Sequence, residues 1–457
     1  MNHLSSALST SKKQKKSLPK GLNEDIVRFI SQDKKEPPWM LTLRLQAFKE
    51  FEQKTKPAWG VNLQELDFDD IYYYLPSHLK QQRTWEDVPR DVKDTFEKIG
   101  IPQAEREYLA GVTSQFDSEV IYGSLRKKLQ KQGVLFMSMD EGLRKHPDIV
   151  KTYFSTLVPA KDNKFTALNT AVWSGGTFLY VPKGVKVEMP LQAYFWISSP
   201  LAGQFERTLI VVDEGAYVHY IEGCSAPIYS DQSLHSGVVE IFVGPNATCQ
   251  YSTIQNWYTN VYNLVTKRAR VSKNGKMFWV DGNFGSKATM KYPACYLEGE
   301  GAHGEMLSIA VAGKGQHQDT GAKMIHRAKG TTSTIVSKSI SQQGGRASYR
   351  GVVHIDKKAY NCRSSVVCNG LVLDDQSRSD SYPVNSITNA TALLEHEATV
   401  SKIREDQVSY LLSRGLTRTQ ANALIISGFI EPIVSYFPME YAVELNRLIE
   451  MEIEGGL

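Results

Sequence analysis

Between Thr177 and about Lys402 the chain is a succession of short strand-like runs with almost no helical periodicity. TFLYVPKG, TLIVVDEG, YVHYIEG, VVEIFVG, MFWVDGNFG, MLSIAVAG and TIVSKSISQQG are examples. Each closes on glycine, or on glycine with Asn, Asp or Gln beside it, every 8–15 residues. That rhythm admits an all-β sandwich, a barrel or a β-helix. About 225 residues of it exceeds a typical sandwich and suits a stacked solenoid, although no strict repeat period is visible.

The flanks read differently. Residues 22–53 have helical spacing, with Asn23, Glu24 and Asp25 at a start and Pro37-Pro38 as a break before a second helix from Trp39 to Phe51. Residues 54–90 are irregular and rich in Tyr and Pro, and 91–174 are mixed, with a charged helix at 126–132, a short strand at 134–137 and a helical stretch at 140–158. After the β body, Arg404–Arg414 has Val408, Leu411 and Leu412 on one face and stops at Gly415. Thr417-x-x-Gln420 is a capping box that opens a second helix, with Leu424 and Ile425 inward and Gly428 at its end. Pro438 suits the first turn of a third.

Composition removes several classes. The 457 residues are 41% hydrophobic and 22% charged, which is globular rather than disordered. The net charge of +4 comes from five lysines among the first 20 residues, which hold no acid; without them the body is slightly acidic. A nucleic-acid-binding body would carry its own basic patch, so the tail reads as a disordered arm and no nucleic-acid partner is expected. The N-terminus lacks the apolar stretch of a secretory signal, and no apolar run approaches the roughly 18 residues of a membrane helix. A cytoplasmic protein without membrane attachment is expected. Cys224, Cys249, Cys295, Cys362 and Cys368 are odd in number and contain no CxxC, so neither a disulfide framework nor a structural zinc site is indicated.

Catalytic signatures are missing. There is no GxxxxGK[ST], GxGxxG or GxSxG, and His396-Glu397 does not continue into HExxH. Two constellations in the β body stand out. Glu222-Gly223-Cys224-Ser225-Ala226-Pro227 follows an alternating strand, so Cys224 is expected at the strand's end, on a tight turn that a partner can reach. A small buried hydrophobe is the competing explanation. The second is Cys362-x5-Cys368 followed by Leu394-Glu395-His396-Glu397-Ala398-Thr399. In a strand Glu395 and Glu397 share one face about 6.6 Å apart and His396 points the other way. Carboxylate, imidazole and thiolate together would accept Fe or Zn. A solvated acidic edge strand explains the same residues. Cys368 and Glu397 are 29 positions apart, which corresponds to two or three strand-plus-turn units, so the two are expected about 10 Å apart on one face.

With these stretches the chain resembles the SufB subunit of the Suf iron–sulfur cluster assembly scaffold, within the SufB/SufD family. PPWMLTLRLQAF (37–48), TFLYVPKGVKVEMPL (177–191), GQFERTLIVVDEGAYVHYIEGCSAP (203–227), STIQNW (252–257), LVTKRA (264–269), DTGAKMIH (319–326) and LEHEATVSKIREDQ (394–407) carry the resemblance. It runs in order over about residues 20–457, and the related SufD subunit looks different at both constellations. The resemblance implies a mainly β fold, a right-handed parallel β-helix between helical ends. The expected regions are a disordered basic tail (1–21), a mixed helical N-terminal region (22–174), a β-helix core (175–402) and a C-terminal helical domain (403–457) that docks an ABC-type ATPase, SufC. It further implies pairing with SufD or a second copy, and sulfur from a cysteine desulfurase with a sulfur-transfer partner.

Carried over by motif, Cys224 is the sulfur-accepting cysteine, and Gln255, Trp257 and Lys267 line a sulfur route. Cys368 and Glu397 match a cluster-building site, with Glu395 and His396 adjacent. Cys249, Cys295 and Cys362 are expected to be structural, and residues 75–100 hold no Cys to ligate a cluster. The resemblance implies a scaffold without catalysis of its own, on which an iron–sulfur cluster is transiently assembled; nothing in the sequence shows a flavin. The rival reading, a β-helix carbohydrate-active enzyme, would need acidic Ca²⁺ ligands and a basic catalyst in one groove.

Overall fold

The computed structural model of the chain describes residues 18–75, 109–116, 118–196, 201–225 and 232–436. The tail before residue 18 and the helix expected from Pro438 lie outside the described residues. From Lys186–Trp196 onward, one sheet runs through Tyr217–Ser225, Thr248–Trp257, Lys276–Gly285, His303–Ala312, Thr332–Ser341, Arg363–Val372 and Leu393–Lys402, each strand parallel to the next. The strands between them in sequence, from Thr177–Val181 to Arg378–Ile387, build a second parallel sheet. The chain therefore winds as a β-solenoid of about seven turns. In the first sheet one turn takes 27 to 31 residues, twice the strand-to-strand rhythm of the sequence, because every turn supplies a strand to each sheet.

Turns between the sheets need residues that tolerate positive φ. Asn246 and Asn274 supply it at stacked positions (φ 56° and 53°), and Asn274 Nδ2 donates to Asn246 Oδ1 at 3.2 Å. Gly285 is required by closeness, since a Cβ there would lie 1.6 Å from the Trp257 carbonyl oxygen.

Helices cover the outer faces. Glu24–Asp33, Pro38–Gln53 and Lys164–Val172 pack on Tyr262, Leu264 and Met290 of the second sheet. The Lys164–Val172 helix was not distinguishable in the sequence because it is buried almost all round and shows no apolar stripe. The expected helical stretch at 140–158 is two helices, Met139–Lys145 and Pro147–Tyr153, divided at the His146-Pro147 bond. At the other end Arg418–Val434 lies on the outer face of the first sheet, burying Ile426, Ile430 and Ile433 against Val280, Leu307 and Ile309. It does not stop at Gly428 as expected. It continues through Pro432, and the Lys338 ammonium donates to the Phe429 carbonyl one turn before that proline. Leu424, expected inward, is exposed because the apolar residues that meet the sheet lie further along the helix. No helix among the described residues is long and apolar enough to cross a membrane.

A buried ion pair fastens the N-terminal region to the solenoid. Arg207 Nη2 lies 2.6 Å from Glu240 Oε2, both fully buried. Glu240 also accepts the backbone N–H groups of Ser155, Leu157 and Val158 at 2.8–2.9 Å, and Arg207 donates to the Val158 carbonyl. Glu240→Ala leaves a buried guanidinium without its partner and should destabilise by about 3–5 kcal/mol. A denaturant titration should show a clearly lower midpoint; an unchanged midpoint would contradict the fastening role.

Candidate functional site

Parallel in-register pairing stacks like positions over one another, so inward side chains form columns inside the solenoid. Tyr217–Ser225 turns Val218, Tyr220, Glu222 and Cys224 inward, all buried. Below Glu222, one residue per turn, come Thr253, Asp281, Ser308, Ser337 and Cys368. Every member is buried and polar or a thiol. Ser308 and Ser337 hydroxyls are 3.1 Å apart, and Thr253 donates to Asp281. Five steps of about 4.8 Å put Cys368 about 24 Å from the level of Glu222 and Cys224.

The upper part of this interior is a charged network. Cys224 Sγ donates to Glu222 Oε1 at 3.8 Å, and Tyr251 OH donates to the other Glu222 oxygen. Lys267 Nζ lies 3.6 Å from Glu222, 3.9 Å from Asp281 and 3.2 Å from Thr253 Oγ1, with the Tyr251 ring beneath it. Lys291 Nζ lies 3.2 Å from Asp281 and donates to Gln255 Oε1 at 3.1 Å. Asn263 donates to the same oxygen at 2.9 Å and shares its own oxygen with His235 Nδ1 at 2.7 Å, and His235 Nε2 pairs with Glu206. The Trp257 ring lies 4.6 Å from the His235 ring. Gln255 Nε2 and Trp257 Nε1 are buried donors with no partner among the described residues.

Burial raises the Cys224 thiol well above its ordinary range; Glu222 and Glu206 push the same way, while Lys267 and Lys291 pull it down. Burial lowers Lys291 to about 8 despite the pull of Asp281. Asp281 is held below the ordinary carboxylate range because Lys291 and Lys267 outweigh the effect of its burial.

Cys224 is not on a reachable turn. The strand continues through it, pairing it with Phe195 on one side and Gln255 on the other, and only 2% of it is exposed. Gly223 is needed because the Tyr194 ring would lie 2.8 Å from a Cβ. Gln255 and Lys267 join Cys224 in one network, and Trp257 borders it through His235. Glu206, Glu222, His235, Asp281 and Lys291 were missed; charged residues at inward positions of strand-like runs are the signal that points to them.

The lower constellation lies at the solenoid's open end. Among the described residues Arg378–Ile387 and Leu393–Lys402 end their sheets, each with one unpaired edge, and Val384, Leu393 and Val400 stand exposed on them at 55–61%. Cys368 and Glu397 are not two coils apart. They sit in adjacent strands, where Glu397 opposes Val367 and Cys368 opposes Ala398, so they face opposite sides. Cys368 looks inward, where burial raises it to about 11 against the lowering effect of the Ser381 hydroxyl. His396 shares that inward side, with Nδ1 3.3 Å from Asn385 and Nε2 buried without a partner among the described residues. Glu395 and Glu397 are exposed outside. No three His, Cys, Asp or Glu side chains among the described residues converge as a metal site. Cys362 is satisfied locally by Thr331 at 3.1 Å and the Ala359 carbonyl at 3.2 Å.

Comparison with known proteins supplies the family. Residues 24–193 match the family model of the SufBD protein N-terminal region, and residues 195–429 match that of the SUF system FeS cluster assembly, SufBD core domain. Iron–sulfur cluster assembly SufBD family proteins of Staphylococcus saprophyticus and Staphylococcus haemolyticus are each 57% identical over 438 residues, 96% of this chain and 94% of theirs. One from Staphylococcus aureus matches at the same identity and coverage.

All five cysteines are buried and free. The thiolate is the reactive form, and burial raises Cys224, Cys249, Cys295 and Cys368. The folded chain at pH 7.5 should therefore react with iodoacetamide far more slowly at all five than the denatured chain does. Alkylation of Cys224 at the rate of a free thiol, read by peptide mass spectrometry, would contradict its burial.

Proposed function

The chain belongs to the SufBD family of iron–sulfur cluster assembly proteins, and from that premise we propose that it is a SufB-type scaffold subunit. Cys224 accepts sulfane sulfur delivered by a cysteine desulfurase and its transfer partner. The sulfur passes down the interior, and a cluster is built at the open end for transfer to apoproteins. The observation that carries this reading is the unbroken inward column from Glu222, beside Cys224, to Cys368. The donors on Gln255 and Trp257 that have no partner among the described residues, and the Lys267 ammonium, suit an anionic persulfide.

Cys368 and His396 line the inner side of the last turns and Glu397 the outer side. A cluster there takes its remaining ligands from a partner chain, a SufD-type paralogue or a second copy, paired on the two free strand edges. Iron and sulfide are cargo at this site. The Glu405–Ser413 and Arg418–Val434 helices, with Tyr410, Leu412 and Leu424 exposed, offer the docking surface for a SufC-type ATPase, which supplies the nucleotide chemistry this chain lacks. A cytoplasmic assembly component fits these partners. The carbohydrate-active alternative finds no support, since both matching family models are of SufBD proteins.

Cys224→Ser should keep the fold and SufC binding but abolish persulfide formation when desulfurase and cysteine are supplied; equal persulfide in the Ser variant removes the role. Cys368→Ala and Glu397→Ala should each lose reconstituted cluster absorbance in the complex while persulfide at Cys224 persists. A normal cluster in either variant shows that its residue is not an essential ligand.

A further inference from the structure

We propose that Glu222 is the proton acceptor that activates Cys224. The inference rests on the reading of Cys224 as the sulfur acceptor. It starts from a conflict: a sulfur-accepting thiol must become a thiolate to attack, yet Cys224 is 2% exposed, so bulk water at neutral pH is a poor acceptor for its proton. The partner the structure gives its Sγ is Glu222 Oε1 at 3.8 Å, within reach for S–H donation to a carboxylate. The same oxygen lies 3.6 Å from Lys267 Nζ, and Tyr251 holds the other oxygen, so the carboxylate is fixed between thiol and ammonium. The other titratable groups facing the pair are Tyr220, Lys291 and Glu206. The strand Lys186–Trp196 pairs Ala193 with Glu222 and Phe195 with Cys224, and Tyr194 between them lays its ring against Gly223.

Charge conservation makes the arrangement work. Before reaction one negative charge sits on Glu222 opposite Lys267. Moving the proton from Sγ to Oε1 moves that charge to sulfur without creating a new one in a low-dielectric interior, and Lys267 remains its counterion. The thiolate attacks the outer sulfur of a cysteine persulfide, R–S–SH. The Cys224 S–S bond forms, the donor's S–S bond breaks, and R–S⁻ leaves with the proton from Glu222 as R–SH. Sulfane sulfur changes owner and nothing is oxidised or reduced overall. The outer sulfur on Cys224 can then rest as an anion against Lys267, its proton again on Glu222.

Glu222→Gln keeps an acceptor for Tyr251 and removes the basicity. Full-length wild type, Glu222→Gln, Glu222→Asp and Cys224→Ser would be treated with cysteine persulfide from pH 6 to 10, with persulfide per cysteine read over time by mass spectrometry. The proposal expects Glu222→Gln to load Cys224 on the order of tenfold or more slowly at pH 7 and to recover towards wild type as pH rises and hydroxide replaces the carboxylate. Glu222→Asp should restore part of the neutral-pH rate. A Gln variant equally slow at every pH would mark a structural effect. One as fast as wild type would remove the role, and one faster would make Glu222 an electrostatic brake; each of the three overturns the proposal. Wild type that loads elsewhere than Cys224 overturns the acceptor reading as well, whereas a loaded wild type with an equally loaded Gln variant overturns only the assignment of Glu222.

Discussion

In a parallel coil the residue above determines the company of the residue below. In-register pairing carries each inward position onto the next turn, so a polar side chain inside this solenoid is never isolated by accident. It belongs to a column, and the column either ends in satisfied hydrogen bonds or leads somewhere. Here the apolar columns, from Val218 through Cys249 and Met277, give the solenoid its core. The Glu222 column beside them gives it a polar interior. The helices outside only close the outer faces and fasten the first turns through Arg207 and Glu240.

That polar interior is costly. Burying Glu222, Lys267, Asp281 and Lys291 requires several kcal/mol of desolvation per ion, and apolar residues of similar size would often be at least as stable. The charges nevertheless balance: two ammonium groups face two carboxylates, and Tyr251, Thr253 and Gln255 complete their shells. Left over among the described residues are donors on Gln255 and Trp257, together with the acceptors Glu206 Oε2 and Asn283 Oδ1. The two donors suit an added anion such as the persulfide proposed at Cys224. Lower down, Ser308 and Ser337 carry no charge, so the proposed route from the network to Cys368 is lined by small hydroxyls.

Much of this was legible in the sequence. Strand runs closed by glycine foretold a stacked β fold, and the motif around Cys224 together with Gln255 and Lys267 picked out residues that do meet. The coil length was not legible, because the visible rhythm counts strands while the solenoid counts pairs of strands. That error moved Glu397 two coils from Cys368, when the two are neighbours on opposite faces. Cys224 looked like a turn residue because Gly223 and Pro227 flank it, but Gly223 answers to the Tyr194 ring, not to a change of direction. Asp281, within MFWVDGNFG, read as turn chemistry, although the strand carries it inward beside Lys267 and Lys291. Leu424 was assigned inward on helical periodicity alone. Burial of Ile426, Ile430 and Ile433 shifts the contacting face.

The central claim is that sulfur taken at Cys224 reaches the open end through the interior. The most direct measurement follows sulfur in a column-blocked variant, Ser308→Leu, which fills the interior between Asp281 and Ser337. With desulfurase, ATPase subunit and partner present, isotopically labelled sulfur should accumulate as persulfide on Cys224, with little label at Cys368 and no cluster absorbance. Wild-type label at Cys368, in a variant shown by its unfolding midpoint to be folded, would mean that sulfur arrives by another way and would contradict the account.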